Sequence, residues 1–173
     1  LTAGREKVMR TQFSLPQEFR LAAFIRALVV FTLLIEALGA VVLYFEFAAN
    51  DVANPAWSAV FHSVSAFCTA GFSLNNNSLE NFADSVWVNG TIAVLCYAGA
   101  IGFIVLLDAW LWVRVKSHRI TFTSKVILYM TAGLLVAGTL PLFLFDPLLA
   151  EMPAGQRLMA AVFQVMNAST TAG

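Results

Sequence analysis

Two segments of this chain, beginning 102 residues apart, have nearly the same sequence. Residues 59–71 align without a gap on residues 161–173, and seven of the thirteen positions are identical. Both copies end in the tripeptide Thr-Ala-Gly. An internal repeat constrains the architecture, because each copy is expected to fold as the same unit. Each copy is a short amphipathic segment closed by small residues, and each follows a long apolar run. This pattern is typical of a re-entrant pore loop.

The composition favours a membrane protein over a soluble one. Sixty per cent of the residues are hydrophobic and 12% are charged, whereas a soluble domain carries about 25% charged residues. The mean hydropathy is +0.79. The formal net charge is zero, so nothing indicates a nucleic-acid partner. Cys68 and Cys96 both lie in apolar sequence, and we interpret them as small unpaired thiols rather than as a disulfide or a metal pair.

Three apolar runs are long enough to cross a bilayer. A helix needs about 20 residues to cross a hydrocarbon core of about 30 Å. The sequence predicts spans over residues 21–47, 90–113 and 126–145. None resembles a cleavable signal peptide, because the first follows twenty residues of charged sequence and no small-residue cleavage site closes it.

The repeated segments predict two shorter helices, over residues 55–67 and 156–168. Thirteen residues of helix are about 20 Å long, which is too short to span. Asn54 and Pro55 form a good helix start, with the Asn side chain as N-cap and proline at the first helical position. Irregular backbone at membrane depth is tolerated only inside protein or beside a water-filled cavity. We therefore expect each short helix to enter the membrane and turn back through its Thr-Ala-Gly strand. These turns are predicted at residues 68–72 and 169–173.

The basic residues predict the orientation in the membrane. Nine of the ten Lys and Arg residues lie in the segment 1–20, at Arg26 or in the loop 114–125, and the positive-inside rule assigns such segments to the cytoplasm. Both short helices then enter from the outside. The repeat period leads us to expect a further returning span after Gly173, so that the chain is part of a longer protein whose other repeats or subunits complete the pore.

The Thr-Ala-Gly tripeptide suits the coordination of a cation. Backbone carbonyls can replace the hydration shell of an ion without a net charge that would trap it. Turning successive carbonyls toward one axis requires unusual dihedral angles, which glycine adopts most easily. The carboxyl end of each short helix carries partial negative charge, which favours a cation there. We therefore predict an ion-binding filter in each copy.

Several motifs carry a resemblance to a known family. Residues 61–67 with 70–74, the stretch 34–40, and residues 99–103 before Asp108 resemble the Trk/Ktr/HKT superfamily of potassium transporters. The resemblance covers essentially the whole chain, which is similar to the second repeat and the first half of the third. It implies an all-α integral membrane fold, in which membrane–pore loop–membrane repeats surround the pseudo-fourfold pore of a channel-like cation transporter.

The resemblance also implies a set of ion-binding residues. Potassium would be bound by backbone carbonyls, with Gly71 and Gly173 as filter glycines. The implied filter residues are Cys68, Thr69, Ala70 and Gly71 in the first copy and Thr170, Thr171, Ala172 and Gly173 in the second. The chain departs from the family pattern at two of these, since we would expect Asn at Thr69 and Arg near Thr170. No cofactor is implied besides the transported K⁺.

The partners implied by the resemblance begin with the lipid bilayer of the plasma or inner membrane, which the chain would cross several times. They also include the remaining repeats of the longer chain, a second copy in a homodimer, and a cytosolic nucleotide-binding regulatory subunit. The inner segments 1–20 and 114–125 are too short to bury a core of their own. Two interpretations of their charge stay open: docking of the regulatory subunit, or orientation in the membrane alone.

Four residues within the helices have structural interpretations. Glu36 lies in mid-span, where a carboxylate is costly and usually paired or functional. We interpret it as a structural group that hydrogen-bonds a donor such as His62 or Trp57, or that is protonated, rather than as a residue with a role in transport. His62 aligns with a glutamine in the second copy and is interpreted as part of the scaffold. Gly99 and Gly102 are interpreted as a packing face for a neighbouring helix rather than as a hinge.

No motif supports an enzyme, because the chain has no nucleophile elbow, paired-histidine motif, phosphate loop or cluster of titratable groups. Three functions stay open. The first is a potassium-conducting transporter subunit, and the second is a sodium-conducting relative, since plant members of the superfamily alter selectivity at a first filter that this chain lacks. The third is a non-conducting membrane scaffold, which would have no use for a strained tripeptide present twice.

Overall fold

The regular secondary structure of the described residues is entirely helical. A computed structural model describes residues 21–114 and 119–170. Within them lie seven α-helices and a 3₁₀ turn at Glu80–Phe82. The helices are α1 (Leu21–Ala49), α2 (Pro55–Phe67), α3 (Val86–Ile101), α4 (Phe103–Arg114), α5 (Phe122–Phe145), α6 (Pro147–Ala150) and α7 (Ala154–Thr170). The predicted all-α class is confirmed for these ranges.

The chain divides into two compact units, one ending at Ile35 and the other beginning at Glu36. In the first unit, the described part is helical and exposes apolar side chains, including Val30 and Leu33. The second unit contains the other helices and a buried core. Its largest fully buried apolar side chains are Leu43, Phe47, Val88, Leu95 and Met166.

Two helical segments, Ile25–Ala49 and Phe122–Phe145, are long and apolar enough to cross a membrane. A third span results if the bent pair α3 and α4 counts as one. The side chains along α5 are largely exposed, for example Tyr129 at 76% and Phe145 at 80%. An exposed apolar surface of this extent is unfavourable in water and favourable in lipid. These described helices are those of a membrane protein.

The segment predicted as a span over residues 90–113 forms two helices at an angle instead of one straight helix. The chain begins a helix earlier, at Val86, where the Ser85 hydroxyl accepts a hydrogen bond from the Val88 N–H at 3.2 Å. It breaks at Gly102, and the axes on either side differ by 100°. Gly102 has φ +85° and ψ 155°, a conformation that costs little only without a Cβ. Gly102 therefore ends α3 instead of packing against a neighbour.

Gly99, by contrast, is a packing residue as predicted. A Cβ at this position would stand 1.8 Å from the backbone oxygen of Phe67, the last residue of α2. Only glycine lets α3 approach the carboxyl end of α2 this closely. The short helix α2 is thereby fixed against α3.

In both halves of the second unit, the short helix packs against a glycine of a long helix. In the first half, a Cβ at Gly39 of α1 would stand 2.8 Å from Ser63 Oγ and 2.7 Å from a methyl group of Leu95. In the second half, a Cβ at Gly138 of α5 would stand 2.8 Å from a methyl group of Val165. Ser63 and Val165 occupy the same position in the two copies of the sequence repeat. In both halves, a glycine of the long helix therefore lies close to this position of the short helix.

Candidate filter turn after the short helix

The short helix α2 begins at Pro55, with Asn54 as its N-cap residue. The expected side-chain cap is wrong, because Asn54 makes no capping hydrogen bond with its side chain. An N-cap residue normally has extended dihedral angles that aim its side chain at the helix, whereas Asn54 is left-handed, with φ 52°. Proline at the start still suits the first turn, because its missing N–H would have had no partner there.

Two backbone hydrogen bonds cap the carboxyl end of α2. Both run from N–H groups after the helix to carbonyl oxygens of its last turn. The Ala70 N–H donates to Ser65 O at 2.9 Å, and the Thr69 N–H donates to Ala66 O at 3.0 Å. Thr69 itself is left-handed, with φ 51°. This is a Schellman motif, in which the residue after the C-cap is usually glycine. A β-branched residue is strained in that conformation and persists only where its surroundings hold it.

Cys68, Thr69, Ala70 and Gly71, the four residues predicted as the first filter, form this turn. Cys68 is right-handed, with φ −74° and ψ −1°, whereas φ is positive at Thr69 and again at Gly71, where it is 70°. Positive φ at two of these four residues distinguishes the turn from a regular extended strand, in which φ is negative throughout.

Ser65 holds the residue that follows Gly71. Its hydroxyl donates to Phe72 O at 2.8 Å and accepts from the Phe72 N–H at 2.9 Å. The Ser65 side chain is 92% buried, because only 8% of the residue is exposed. One small side chain thus satisfies both backbone groups of Phe72.

His62 forms a hydrogen bond with Ser73, the residue after Phe72. Its Nδ1 lies 2.7 Å from Ser58 O and its Nε2 lies 3.1 Å from Ser73 Oγ. A neutral ring with the proton on Nδ1 donates to Ser58 and accepts from the Ser73 hydroxyl. That hydroxyl in turn accepts from the Asn75 N–H at 3.1 Å. Burial lowers the pKa of His62 from its usual value of 6.5, while the bond to Ser58 acts in the opposite direction.

The expected pairing of Glu36 with His62 or Trp57 is wrong. The His62 ring is occupied by Ser58 and Ser73, and the Trp57 side chain is 61% exposed. At Glu36 it is the backbone oxygen that accepts a hydrogen bond, from Ser63 Oγ at 2.7 Å. The Ser63 hydroxyl therefore links α2 to α1, whereas the Ser65 hydroxyl bonds to the backbone of Phe72.

The second copy of the repeat ends in helix α7. This helix extends past the predicted bounds 156–168 at both ends, from Ala154 to Thr170. The turn predicted over residues 169–173 does not begin at Ser169 or Thr170. Both are helical, and both hydroxyls donate back to Met166 O, at 3.1 and 2.8 Å. The remaining predicted filter residues of this copy, Thr171, Ala172 and Gly173, lie outside the described residues.

Asp108 joins α4 to the start of α5. Its Oδ2 accepts from the Thr121 N–H at 3.0 Å, from the Thr121 hydroxyl at 2.5 Å and from the Ser124 hydroxyl at 2.6 Å. Asp108 is 6% exposed and Ser124 is fully buried. A carboxylate near the first turn of a helix also interacts favourably with the helix dipole. The Asp108 carboxylate thus anchors the amino end of α5.

Ser65 is the functional candidate that sequence reasoning missed. Its counterpart in the second copy is Asn167, so that the repeat keeps a hydrogen-bonding side chain at this position. His62 and its counterpart Gln164 show the same preference three residues earlier. Residues three apart share one face of a helix. Hydrogen-bonding side chains at these two helical positions in both copies were the signal that could have identified Ser65.

These features define a class of protein: a helical membrane protein in which a short, half-buried helix leads into a strained, glycine-containing turn. Comparison with known proteins gives the family. The TrkH family profile, described as a cation transport protein, matches residues 17–173. The chain belongs to this family, and thus to the Trk/Ktr superfamily of potassium transporters.

Similar proteins are known from several bacteria. The chain is 29% identical to the Ktr system potassium uptake protein B of Vibrio alginolyticus, over 98% of this chain and 38% of that protein. It is 40% identical to the potassium/sodium uptake protein NtpJ of Enterococcus hirae, over 62% of this chain and 24% of that protein. It is 29% identical to the Ktr system potassium uptake protein B of Bacillus subtilis, over 84% and 34%. The chain thus spans well under half the length of these relatives.

Proposed function

We propose that this chain is part of the membrane-embedded, ion-conducting subunit of a potassium uptake transporter. The observation that carries the proposal is the strained turn Cys68–Gly71, which closes the short helix α2 and whose Thr-Ala-Gly sequence recurs at residues 171–173. A turn of this kind costs energy and contributes no apolar burial that would offset the cost. Its value to the protein is the arrangement of its carbonyl oxygens.

Each turn would bind K⁺ through backbone oxygens. The contributing residues would be Cys68, Thr69, Ala70 and Gly71 in one copy and, in the other, Thr170 at the carboxyl end of α7 with Thr171, Ala172 and Gly173. The oxygens replace the hydration shell of the ion without a fixed charge that would trap it. The carboxyl end of α2 adds partial negative charge next to the turn. Because α2 is too short to cross the membrane, its carboxyl end would lie inside the membrane, next to the pore axis.

A sodium-conducting transporter is the second candidate. It is favoured by the Enterococcus relative, which is named as a potassium/sodium uptake protein. Thr69 also departs from the Asn that the family pattern led us to expect. Carbonyl sites discriminate between K⁺ and Na⁺ through their spacing and their field, so a change beside Gly71 bears on this choice. Ion competition separates the two candidates.

The complete transporter would combine this chain with further repeats around one pore, in the plasma or inner membrane. The loop 114–125 would face the cytoplasm, because it holds four of the ten basic residues. A homodimer and a cytosolic nucleotide-binding regulatory subunit complete the proposed assembly. Two of the relatives are named as proteins of a Ktr system, a name that fits a membrane subunit working with other components.

Ion flux into liposomes tests this function. The full-length protein is purified, reconstituted and supplied with a radioactive potassium congener against a K⁺ gradient. We expect uptake that excess K⁺ inhibits and that excess Na⁺ inhibits much less. Equal inhibition by the two ions would support the sodium-conducting candidate. Protein that is correctly folded and inserted but gives no flux, with or without cytosolic extract, would contradict the proposal.

A further inference from the structure

Ser65 contacts the backbone on both sides of Gly71. On the helix side, its backbone oxygen accepts the Ala70 N–H at 2.9 Å. On the far side, its hydroxyl bonds to both the N–H and the carbonyl of Phe72, at 2.9 and 2.8 Å. The Thr69–Ala70 peptide unit and the Gly71–Phe72 peptide unit, which contains the Gly71 carbonyl, are thus both hydrogen-bonded to a single buried residue of α2.

The side chain of Phe72 contributes little to holding this segment. It is 70% exposed in the described structure, so packing does not fix its backbone. The turn also contains two residues with positive φ, Thr69 and Gly71. Strained backbone of this kind persists where neighbouring contacts over-determine it. The hydroxyl of Ser65 is the contact that supplies this restraint at the far end of the turn.

We propose that Ser65 is a positioning residue that fixes the Gly71 carbonyl and thereby sets the preference of the filter for K⁺ over Na⁺. The inference rests on the proposed function of the turn as an ion-binding filter. Without the hydroxyl, Phe72 loses both of its hydrogen bonds to Ser65, and the Gly71 peptide gains freedom to move. Carbonyls that move can close around the smaller Na⁺ ion, so discrimination falls while conduction continues.

The chain supplies a matched control two residues earlier. Ser63 lies in the same helix and is fully buried, and its hydroxyl likewise donates to a backbone oxygen. That oxygen belongs to Glu36 in α1 and not to the turn. Ser63→Ala therefore removes a buried hydroxyl of equal size without touching the filter backbone.

The experiment compares Ser65→Ala with Ser63→Ala in the full-length protein reconstituted into liposomes. The K⁺/Na⁺ permeability ratio and the thermal stability are measured for each. We expect Ser65→Ala to lower the ratio by about five-fold, the effect of one ordinary hydrogen bond, and Ser63→Ala to leave it unchanged. Ser65→Thr, which keeps the hydroxyl, should restore the ratio. If Ser65→Ala does not fold, Ser65→Cys keeps the size but bonds weakly and should lower the ratio in the same way.

An unchanged ratio in the folded Ser65 variant, or the same loss in both serine variants, would overturn the inference. A parallel Gly71→Ser variant separates this failure from a failure of the proposed function. If Gly71→Ser alters the ratio and the Ser65 variant does not, the filter stands and the role of Ser65 falls. If neither alters it, the turn is not the filter, and both proposals fall together.

Discussion

Gly99 of α3 lies beside the last carbonyl group of α2, so closely that a Cβ on Gly99 would stand 1.8 Å from Phe67 O. This contact fixes the end of the short helix where the strained turn begins. A movement of side chains could not relieve the clash of a Cβ on Gly99, because the atom that the Cβ would meet is a backbone oxygen. The position of the turn thus depends on the absence of a side chain on a neighbouring helix.

Gly99→Ala is expected to destabilise the protein by about 1–3 kcal/mol, the usual cost of overpacking a tight contact. Gly90→Ala, in the same helix, is the control, since nothing lies within 4 Å of a Cβ there. That change should stabilise α3 by up to about 1 kcal/mol through helix propensity. Thermal unfolding of the full-length protein in detergent measures both effects. Equal shifts for the two variants would contradict the close approach of α2 and α3.

Asp108→Ala is expected to destabilise the protein, because the buried Ser124 hydroxyl and the two donors of the exposed Thr121 would lose their acceptor. An unsatisfied buried donor costs about 1–3 kcal/mol, and the donors of Thr121 can turn to other partners at less cost. Asp108→Asn keeps an acceptor oxygen in place and should cost less. Asp84→Ala, at an exposed position, should stay within about 0.5 kcal/mol of the wild type. The same thermal assay ranks the three variants, and equal losses for Asp108→Ala and Asp108→Asn would refute the anchoring role.

His62 is expected to make the stability of the protein depend on pH. Its pKa in the folded protein is lowered from the usual 6.5 by burial, so the unfolded chain takes up a proton first as the pH falls. The stabilising contribution of the neutral ring is therefore complete above pH 6.5 and is lost progressively below it, down to the folded pKa. His62→Gln matches the second copy of the repeat and removes this titration. We expect the melting temperature of the wild type to fall more than that of His62→Gln between pH 8 and pH 5, and an equal fall would contradict the assignment.

The positions of α2 and its turn were predicted more accurately from the sequence than the course of the long helices. Proline at position 55 and the small residues after Phe67 indicate both ends of α2, because they act locally on the backbone. Gly99 and Gly102 look alike in sequence, yet one is a helix contact and the other a helix break. The difference depends on the neighbours of each residue and on the φ angle of Gly102, neither of which hydropathy encodes.

The contacts around the turn after α2 show a second limit of prediction from the sequence alone. Glu36 and His62 are the most conspicuous polar residues of this region, and a pairing between them was a natural expectation. The structure instead uses small hydroxyl groups, at Ser63, Ser65 and Ser73, to join backbone groups of different segments. Serine is common in helices and carries no charge, so its partners become visible only once the loop after Gly71 is placed.

The permeability ratio of Gly71→Ser measures the central claim most directly. Gly102→Ser is its control. Gly71 and Gly102 both have positive φ, so a serine would be strained at either position, but only Gly71 lies in the proposed filter. Each full-length variant is reconstituted into liposomes, and K⁺ and Na⁺ permeabilities are measured side by side. The account predicts that Gly71→Ser lowers the K⁺/Na⁺ ratio about tenfold, equivalent to ~1.4 kcal/mol, and that Gly102→Ser leaves it unchanged. An unchanged ratio in Gly71→Ser, or an equal change in both, would contradict the assignment of this turn as the filter.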